Sequence, residues 1–119
     1  MFDLQAFDIT RFEASAAQAA KLLKALANER RLMILCQLAG GELSVGALQP
    51  RVGLSQSALS QHLAVLREEG VVATRRDGLT IWYRIADPAA VKVVATLAEI
   101  FCPPDMRLHD DPPDPPLPR

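Results

Sequence analysis

The feature that most constrains the fold is a change in hydrophobic period near Gly70. Between Ser55 and Gly70, leucines recur at helical spacing, and Ser55 itself is a favourable helix N-cap. After Gly70, two β-prone runs flank the dipeptide Asp77-Gly78, a combination that is typical of a tight hairpin turn. The pattern predicts a capped helix that is followed directly by a β-hairpin, with strands at 71–76 and 79–85.

Four more helices are predicted around this unit from N-caps, apolar periodicity and Gly or Pro stops. The first is expected to begin near Ser15, and the third is expected to stop at about Gln49, ahead of Pro50. The five predicted helices cover residues 15–26, 29–39, 44–49, 55–70 and 88–102. The predicted fold class is mainly α with a β-hairpin wing (α+β): a winged helix-turn-helix that forms a homodimer through its terminal helices.

Charge and composition divide the chain into three segments. The 119 residues carry a formal net charge of −1, but residues 15–102 hold 10 basic and 7 acidic side chains, a net of +3. An N-terminal arm is predicted at 1–14, and a disordered tail rich in Pro and Asp is predicted at 103–119. The mildly basic middle, 15–102, is compatible with one domain that both binds DNA and dimerises.

The two middle helices and the hairpin carry the candidate DNA contacts. The turn between the helices contains Gly53, as helix-turn-helix units often do, and the second helix presents short side chains that can approach base edges and phosphates. Arginines on the hairpin would add salt-dependent affinity for the DNA backbone. The candidate residues are Ser55, Gln56, Ser57, Ser60, Gln61, Arg75, Arg76 and Arg84. The alternative is that the serines only cap a helix and the arginines only form a solvated face.

The last predicted helix is apolar nearly all round, with Val93, Leu97 and Ile100 on the side opposite its main stripe. In so small a domain this favours a partner subunit, although a central buried helix would show the same pattern. No apolar run reaches the roughly 20 residues of a membrane span, and the N-terminus shows no secretory signal. The expected location is the cytoplasm, where thiols stay largely reduced.

Three segments resemble signature sequences of ArsR/SmtB-type repressors. Residues 26–35 (LANERRLMIL) and 54–63 (LSQSALSQHL) resemble the signature helices of that family, and residues 78–84 (GLTIWYR) are similar to its wing. The resemblance spans roughly residues 15–102. It implies a homodimeric winged-helix repressor that binds double-stranded operator DNA and leaves it when an inducer arrives.

Many members of that family sense metals, but the expected ligands are missing here. Where the family's Cys-x-Cys pair would be needed on the third helix, the chain has Ser44 and Gly46. The last helix has no His and a single acid, Glu99. A tetrahedral zinc site needs four N, S or O ligands. His62 is expected to be a structural imidazole and His109 lies in the tail, so neither a metal nor another cofactor is predicted.

The two cysteines, Cys36 and Cys102, are the remaining candidates for a chemical switch. Cys36 is predicted to lie on the buried face of the second helix with Leu32, Leu35 and Ala39, and Cys102 ends the last helix. These two helices pack together in a winged-helix architecture, so the thiols can be neighbours. The segment around Cys36 is similar to that of sulfide-responsive BigR/SqrR-type repressors, which carry one cysteine in each of these helices.

That similarity implies a persulfide-responsive switch. A thiolate would take up sulfane sulfur from an inorganic or low-molecular-weight persulfide or polysulfide, and the second thiol would close a disulfide or polysulfide bridge that weakens operator binding. Four alternatives stay open: inert core cysteines, a repressor responding to general oxidants or to a metal or metalloid, a thiol-dependent sulfur-transfer enzyme or peroxidase, and a dimeric module without DNA binding. No enzyme activity is predicted, because no Cys–His pair is apparent.

Overall fold

The structure, a computed structural model, describes residues 8–102. The predicted tail and most of the predicted arm therefore lie outside the described residues. The described chain runs in the order α1 (Ile9–Leu26), α2 (Glu29–Leu38), β1 (Leu43–Ser44), α3 (Val45–Val52), α4 (Gln56–Glu68), β2 (Val72–Asp77), β3 (Thr80–Ile85) and α5 (Pro88–Phe101). This order confirms the predicted winged helix-turn-helix, in which α3 and α4 form the helix pair and the β2–β3 hairpin forms the wing.

Helix α1 begins at Ile9, well before the predicted start at Ser15. Asp8 is its N-cap, and the carboxylate accepts a hydrogen bond from the backbone N–H of Arg11 at 3.2 Å. The predicted start was wrong because the first residues of the helix, 9–13 (ITRFE), show no sustained apolar period. The alanines at 14, 16, 17, 19 and 20 then continue the helix past Ser15, since alanine has the highest helix propensity. The predicted boundary between arm and domain falls inside this helix.

Helix α3 passes through Pro50, where the sequence predicts a stop near Gln49. Proline removes one backbone hydrogen bond from a helix, but burial of Leu48 and Val52 holds the last turn in place. The helix ends at Gly53, whose φ of 66° lies in the left-handed region that glycine tolerates. The stop signal is therefore this glycine and not the proline.

The wing forms as predicted, with a difference at its turn. Asp77 pairs with Thr80 across the strands, so the two turn residues are Gly78 and Leu79 and not Asp77-Gly78. Gly78 has a φ of 65°, which suits a two-residue hairpin loop. Sequence patterns missed β1, because two residues are too few to show a period. This strand pairs antiparallel with β3 and gives the sheet order β1-β3-β2.

The core lies where α2, α3 and α4 pack against one another and against the base of the wing. Its largest fully buried side chains are Leu26, Ile34, Leu35, Leu48, Leu59, Leu63, Leu66 and Val71. Burying one such leucine stabilises a fold by about 1.5–3 kcal/mol. Helix α5 adds Ala90 and Val94 to this core. Much of the apolar surface of α5 therefore remains outside it.

Candidate DNA-binding face and thiol groove

Helix α4 presents a polar face to solvent because its leucines are committed to the core on the opposite side. Ser55 caps the helix, and its Oγ accepts a hydrogen bond from the backbone N–H of Ala58 at 3.1 Å. All the predicted contact residues of this segment are exposed: Ser55, Gln56, Ser57, Ser60 and Gln61. A rigid helix with short polar side chains on its open face can read base edges in the major groove.

One side-chain hydrogen bond holds the start of α3, and a second holds the turn between α3 and α4. Ser44 caps α3 by accepting from the backbone N–H of Ala47 at 3.2 Å. The side-chain amide of Gln49 donates to the carbonyl oxygen of Leu54 at 3.3 Å. Because this second bond joins the last turn of α3 to the residues before α4, it fixes the recognition helix relative to its partner helix.

Helix α4 and the wing enclose an open cleft. Gln56 and Ser60 line it from the helix, and Thr80 and Tyr83 line it from β3; its volume is about 500 Å³. A second depression of about 490 Å³ shares Ser60 and Tyr83 and reaches Arg67. The cleft continues the polar face of α4 onto the wing. Sequence reasoning missed Thr80 and Tyr83 because only the fold brings β3 beside α4.

Arg75, a predicted DNA contact, is held by Glu42 and Trp82. Its Nε donates to the two carboxylate oxygens of Glu42 at 3.0 and 2.9 Å, and its Nη2 lies 2.9 Å from Oε1. The guanidinium carbon lies 5.4 Å from the ring centroid of Trp82. The hydrogen bond with Glu42 raises the pKa of Arg75. We call these three residues the wing clamp, because they tie the wing to the loop before β1.

The other two wing arginines lie on opposite faces of the hairpin, since side chains alternate along a strand. Arg84 shares a face with Arg75, whereas Arg76 shares the other face with Tyr83. Both are exposed, and neither forms an ion pair within residues 8–102. Among the β3 residues that line the cleft, Tyr83 shares its face with Arg76, and Thr80 shares its face with Arg75 and Arg84. Both faces of the hairpin therefore border the cleft. The roles of all three in DNA binding stay predictions.

The two cysteines line one apolar groove between α2 and α5, which we call the thiol groove. Cys102 is the C-cap residue of α5, and its backbone N–H donates to the carbonyl oxygen of Ala98 at 2.9 Å. Neither Cys36 nor Cys102 forms a disulfide in this structure. The groove has a volume of about 320 Å³. Its other lining residues are Leu32, Val94, Leu97, Ala98 and Phe101.

Cys36 is exposed, which corrects its predicted place on the buried face of α2. The core face of this helix consists of Ile34, Leu35 and Leu38. Apolar residues occur on more than one side of α2, so their spacing alone did not identify the core face. Partial burial against its surroundings, and secondly the neighbouring Cys102, raise the pKa of the Cys36 thiol. The two thiols are thus within electrostatic reach of each other.

The sequence also leads to expectations about metal ligands, membrane-spanning helices and the two histidines. Within residues 8–102, no three His, Cys, Asp or Glu side chains are grouped so that they could hold a metal ion. In the same part of the chain, no helix combines the length and the apolar character needed to cross a membrane. His62 is half-buried on α4, and His109 lies outside the described residues.

The fold and its polar recognition helix define a winged helix-turn-helix regulator that binds DNA. The model of the bacterial regulatory proteins of the arsR family matches residues 28–74. The transcriptional activator HlyU of Vibrio cholerae is 47% identical over 95 residues, which are 80% of this chain and 88% of HlyU. The chain belongs to the ArsR family of bacterial transcriptional regulators.

Solved structures agree with this assignment. Reduced HlyU from Vibrio cholerae matches with a TM-score of 0.74 at 48% identity, over 78% of this chain and 98% of HlyU. The transcriptional repressor BigR from Xylella fastidiosa matches with a TM-score of 0.77 at 43% identity, over 82% of this chain and 99% of BigR. The homodimeric winged helix-turn-helix domain of Mb0332 from Mycobacterium bovis gives 0.67 at 37% identity, over 80% and 88% of the two chains. The predicted resemblance to the family is confirmed.

Proposed function

We propose that the protein is a cytoplasmic, homodimeric repressor that binds operator DNA when its cysteines are reduced and releases it when they are bridged. The observation that carries this proposal is the thiol groove. The chain has two cysteines, and both lie in one groove on helices that are separate from the candidate DNA face. A chemical change there alters DNA binding only through the fold, as an inducible regulator requires.

The apolar surface of the terminal helices supports a second copy of the chain. Ile9 and Leu23 on α1, and Ile100 on α5, are large exposed apolar side chains that do not line the thiol groove or its adjoining depression. A concentration of this kind marks an interaction surface. The related Mb0332 domain is homodimeric. Pairing of α1 and α5 across a two-fold axis would cover these side chains and present two copies of α4 to one duplex.

Helix α2 links the thiol groove to the DNA face. Ile34 and Leu35 of α2 lie in the same buried cluster as Leu48 of α3 and Leu63 of α4. A close-packed core transmits displacements, because it has little empty space to absorb them. A bridge that moves α2 relative to α5 would therefore displace α3 and α4 from the arrangement that fits DNA.

The bridging chemistry balances with a persulfide as the only oxidant. The thiolate of Cys36 or Cys102 attacks the sulfane sulfur of R–S–SH, RS⁻ leaves and takes up a proton, and Cys–S–SH remains. The second thiolate attacks the cysteine-bonded sulfur and expels hydrosulfide, which gives Cys36–S–S–Cys102. A second donor can first extend the persulfide to Cys–S–S–SH. Attack on its middle sulfur then expels hydrosulfide and leaves a three-sulfur bridge.

Two relatives bear on the proposal. BigR is described as a repressor, and one structure of HlyU is described as reduced. HlyU is nevertheless described as an activator, so the sign of regulation is not common to all relatives. A response to general oxidants, or to a metal or metalloid, is the alternative reading of the same groove.

Fluorescence anisotropy with a labelled duplex from upstream of the chain's own gene tests both halves of the proposal. The reduced protein is expected to bind with an affinity that falls steeply as salt is raised. Treatment with sodium tetrasulfide is expected to lower that affinity at least tenfold. Intact-mass spectrometry should then show the loss of two hydrogens per chain, alone for a disulfide or together with the gain of one or more sulfur atoms for a polysulfide bridge. Hydrogen peroxide and arsenite are compared at the same concentration.

Two cysteine variants and one matched control decide the mechanism. Cys36→Ser and Cys102→Ser are each expected to keep binding in the reduced state and to lose the response to tetrasulfide. Ala95→Ser places a hydroxyl beside Cys36 in the adjoining lining and should respond like the unmodified protein. A full response in either cysteine variant would contradict the two-thiol switch. Absence of salt-sensitive binding would contradict the repressor, and release by peroxide or arsenite alone would favour the alternative inducers.

A further inference from the structure

The thiol groove is larger than an inducer made only of sulfur requires. An adjoining depression of about 210 Å³ shares Cys36, Val94 and Ala98 with it and extends to Ile85 at the end of β3. At roughly 30 Å³ per water-sized group, the 320 Å³ of the groove alone holds about ten such groups. This volume lies in the range of sites for small molecules, which bind largely through apolar contacts.

No charged side chain within residues 8–102 lines either depression. Arg31, on the same helix as the first thiol, directs its guanidinium to the end of α1: its Nε donates to the carbonyl oxygen of Ala25 at 2.6 Å, and its Nη2 donates to that of Lys24 at 3.3 Å. On α5, Lys92 and Glu99 are exposed and lie outside the lining. An ionic donor therefore finds no partner of opposite charge in the groove.

The physical consequence is a preference between donors. An anion that enters an uncharged, apolar groove loses hydration and gains no compensating partner. The Cys36 thiol already shows this effect, since burial is the main cause of its raised pKa. An uncharged donor with an apolar substituent, by contrast, gains from removing that substituent from water.

We propose that the thiol groove is a binding site for uncharged sulfane-sulfur donors that carry an apolar substituent, and that it discriminates against donors that carry carboxylates. Dialkyl polysulfanes and the neutral form of alkyl persulfides belong to the favoured class. This inference deepens the proposed function and rests on it for its regulatory meaning. Contacts with Leu97 and Phe101 hold the substituent while a thiolate attacks the sulfur chain of the donor.

The covalent step balances for such a donor. With a dialkyl trisulfide, R–S–S–S–R, the first cysteine thiolate forms Cys–S–S–R and expels RSS⁻. The second thiolate then attacks the cysteine-bonded sulfur, closes Cys36–S–S–Cys102 and expels RS⁻. Two thiols are oxidised to one disulfide, and the trisulfide is reduced to one persulfide and one thiol, with the two cysteine protons taken up by the leaving groups or by solvent.

Two aromatic disulfides that differ in charge test the selectivity on the free protein. 4,4′-Dithiodipyridine is uncharged at neutral pH, whereas 5,5′-dithiobis(2-nitrobenzoate) carries two carboxylates, and each releases an absorbing product when a thiolate attacks it. Each rate constant is divided by that of N-acetylcysteine amide with the same probe, which removes the intrinsic reactivity of the probe. On this normalised scale the uncharged probe is expected to react at least tenfold faster.

A pair of lysine variants locates the effect in the groove. Leu97→Lys places a cation in the lining and is expected to reduce the preference for the uncharged probe at least fivefold. Thr96→Lys adds the same charge at the neighbouring exposed position outside the lining and should leave the preference unchanged. If circular dichroism shows that Leu97→Lys does not fold, the ratio measured on the unmodified protein decides alone.

The outcomes separate this inference from the function on which it rests. Equal normalised rates for the two probes in the unmodified protein would overturn the selectivity, and so would equal effects of the two lysine variants. Selective thiol reaction without any release of DNA by either tetrasulfide or an uncharged dialkyl trisulfide would overturn the sensing function and leave the groove's selectivity intact. The two failures are distinguishable because the probe rates are measured without DNA.

Discussion

The DNA face and the thiol groove are built in opposite ways. The DNA face comes from one contiguous stretch, 44–85, in which caps, a turn glycine and a two-residue hairpin loop arrange exposed polar side chains. The thiol groove joins α2 and α5, which are distant in the chain, and its lining is apolar. The difference teaches that DNA recognition and the response to an inducer occupy separate surfaces. A substitution can therefore alter one surface and leave the other intact.

The substitution Ser60→Glu changes the DNA face and leaves the thiol groove untouched, and it has the largest expected effect on DNA affinity. Ser60 is exposed and lines the cleft between α4 and the wing, so a carboxylate there would face the phosphates of bound DNA. Like-charge contact of this kind costs several kcal/mol, and we expect DNA affinity to fall about 100-fold. Anisotropy measures the loss. The same substitution on α1, Ser15→Glu, is the control and should bind normally.

The separation predicts that Ser60→Glu leaves thiol chemistry unchanged. Its rates with the two aromatic disulfides should equal those of the unmodified protein. If the variant instead slowed reaction at Cys36 or Cys102, the two surfaces would be coupled in the free protein and not only in the complex with DNA.

The wing clamp provides a test of the role of Arg75. If Arg75 positions the wing, Glu42→Gln loosens it, and DNA affinity should fall about fivefold, which corresponds to one lost charge-assisted contact of roughly 1 kcal/mol. If Arg75 instead contacts phosphate, the same change frees it, so that binding would strengthen and the salt slope would steepen by about one unit. We expect the loss. Glu13→Gln, on exposed α1 surface, controls for the change in net charge.

Trp82 gives a direct readout of the clamp. It is the chain's one tryptophan, and the guanidinium of Arg75 lies over its ring. Its fluorescence should therefore change in Glu42→Gln and stay constant in Glu13→Gln. If Glu42→Gln bound DNA more strongly and its Trp82 emission were unchanged, Arg75 would be a direct DNA contact and not a residue that positions the wing.

Two glycine substitutions test how much of the DNA face is fixed locally. Gly53→Ala forces a side chain into a left-handed φ of 66° with open space around it, so we expect a loss of about 1 kcal/mol of unfolding free energy from backbone strain alone. Gly46→Ala lies inside α3, where a Cβ would meet Ser44 Oγ at 3.9 Å, and should gain up to about 1 kcal/mol. Urea denaturation measures both. A gain of unfolding free energy in both variants would mean that the turn does not depend on its glycine.

Local signals account for what the sequence could predict. Ser55 caps its helix as expected, and Asn28 and Asp87 cap α2 and α5 in the same way, because the N-cap side chain bonds within three residues of the helix start. The capped recognition helix and the wing followed from such marks. The ion pair between Glu42 and Arg75 spans 33 residues and has no spacing signature, so it could not be predicted.

The thiol groove shows the same limit. The sequence identified both cysteines, and the resemblance to a family paired their helices, but the core face of α2 was assigned wrongly. Ile34 and Leu38 are buried there, and Cys36 is exposed. Which apolar side of a short helix faces the core depends on what packs against it, and that is decided by tertiary structure.

The smallest expected effect concerns pH and the thiol groove alone. Burial, and then the neighbouring Cys102, raise the pKa of the Cys36 thiol in the folded protein. Its alkylation by iodoacetamide should therefore keep accelerating above the pH at which an unburied cysteine levels off. Cys102→Ser removes the lesser of the two causes, so the midpoint for Cys36 should move slightly downward. Peptide mapping of the alkylated protein reports the rate at each thiol.

The raised pKa of Cys36 also determines how the stability of the fold changes with pH. Because the fold favours the protonated Cys36 thiol, its contribution to stability is complete below the pKa of the unfolded chain and is lost as pH rises through the folded pKa. Cys36→Ser should lack this alkaline loss, while Ala95→Ser should retain it. An unchanged alkylation midpoint in Cys102→Ser would show that the two thiols do not sense each other. That result would argue against the proximity of the two thiols in the groove, and therefore against a direct bridge between Cys36 and Cys102.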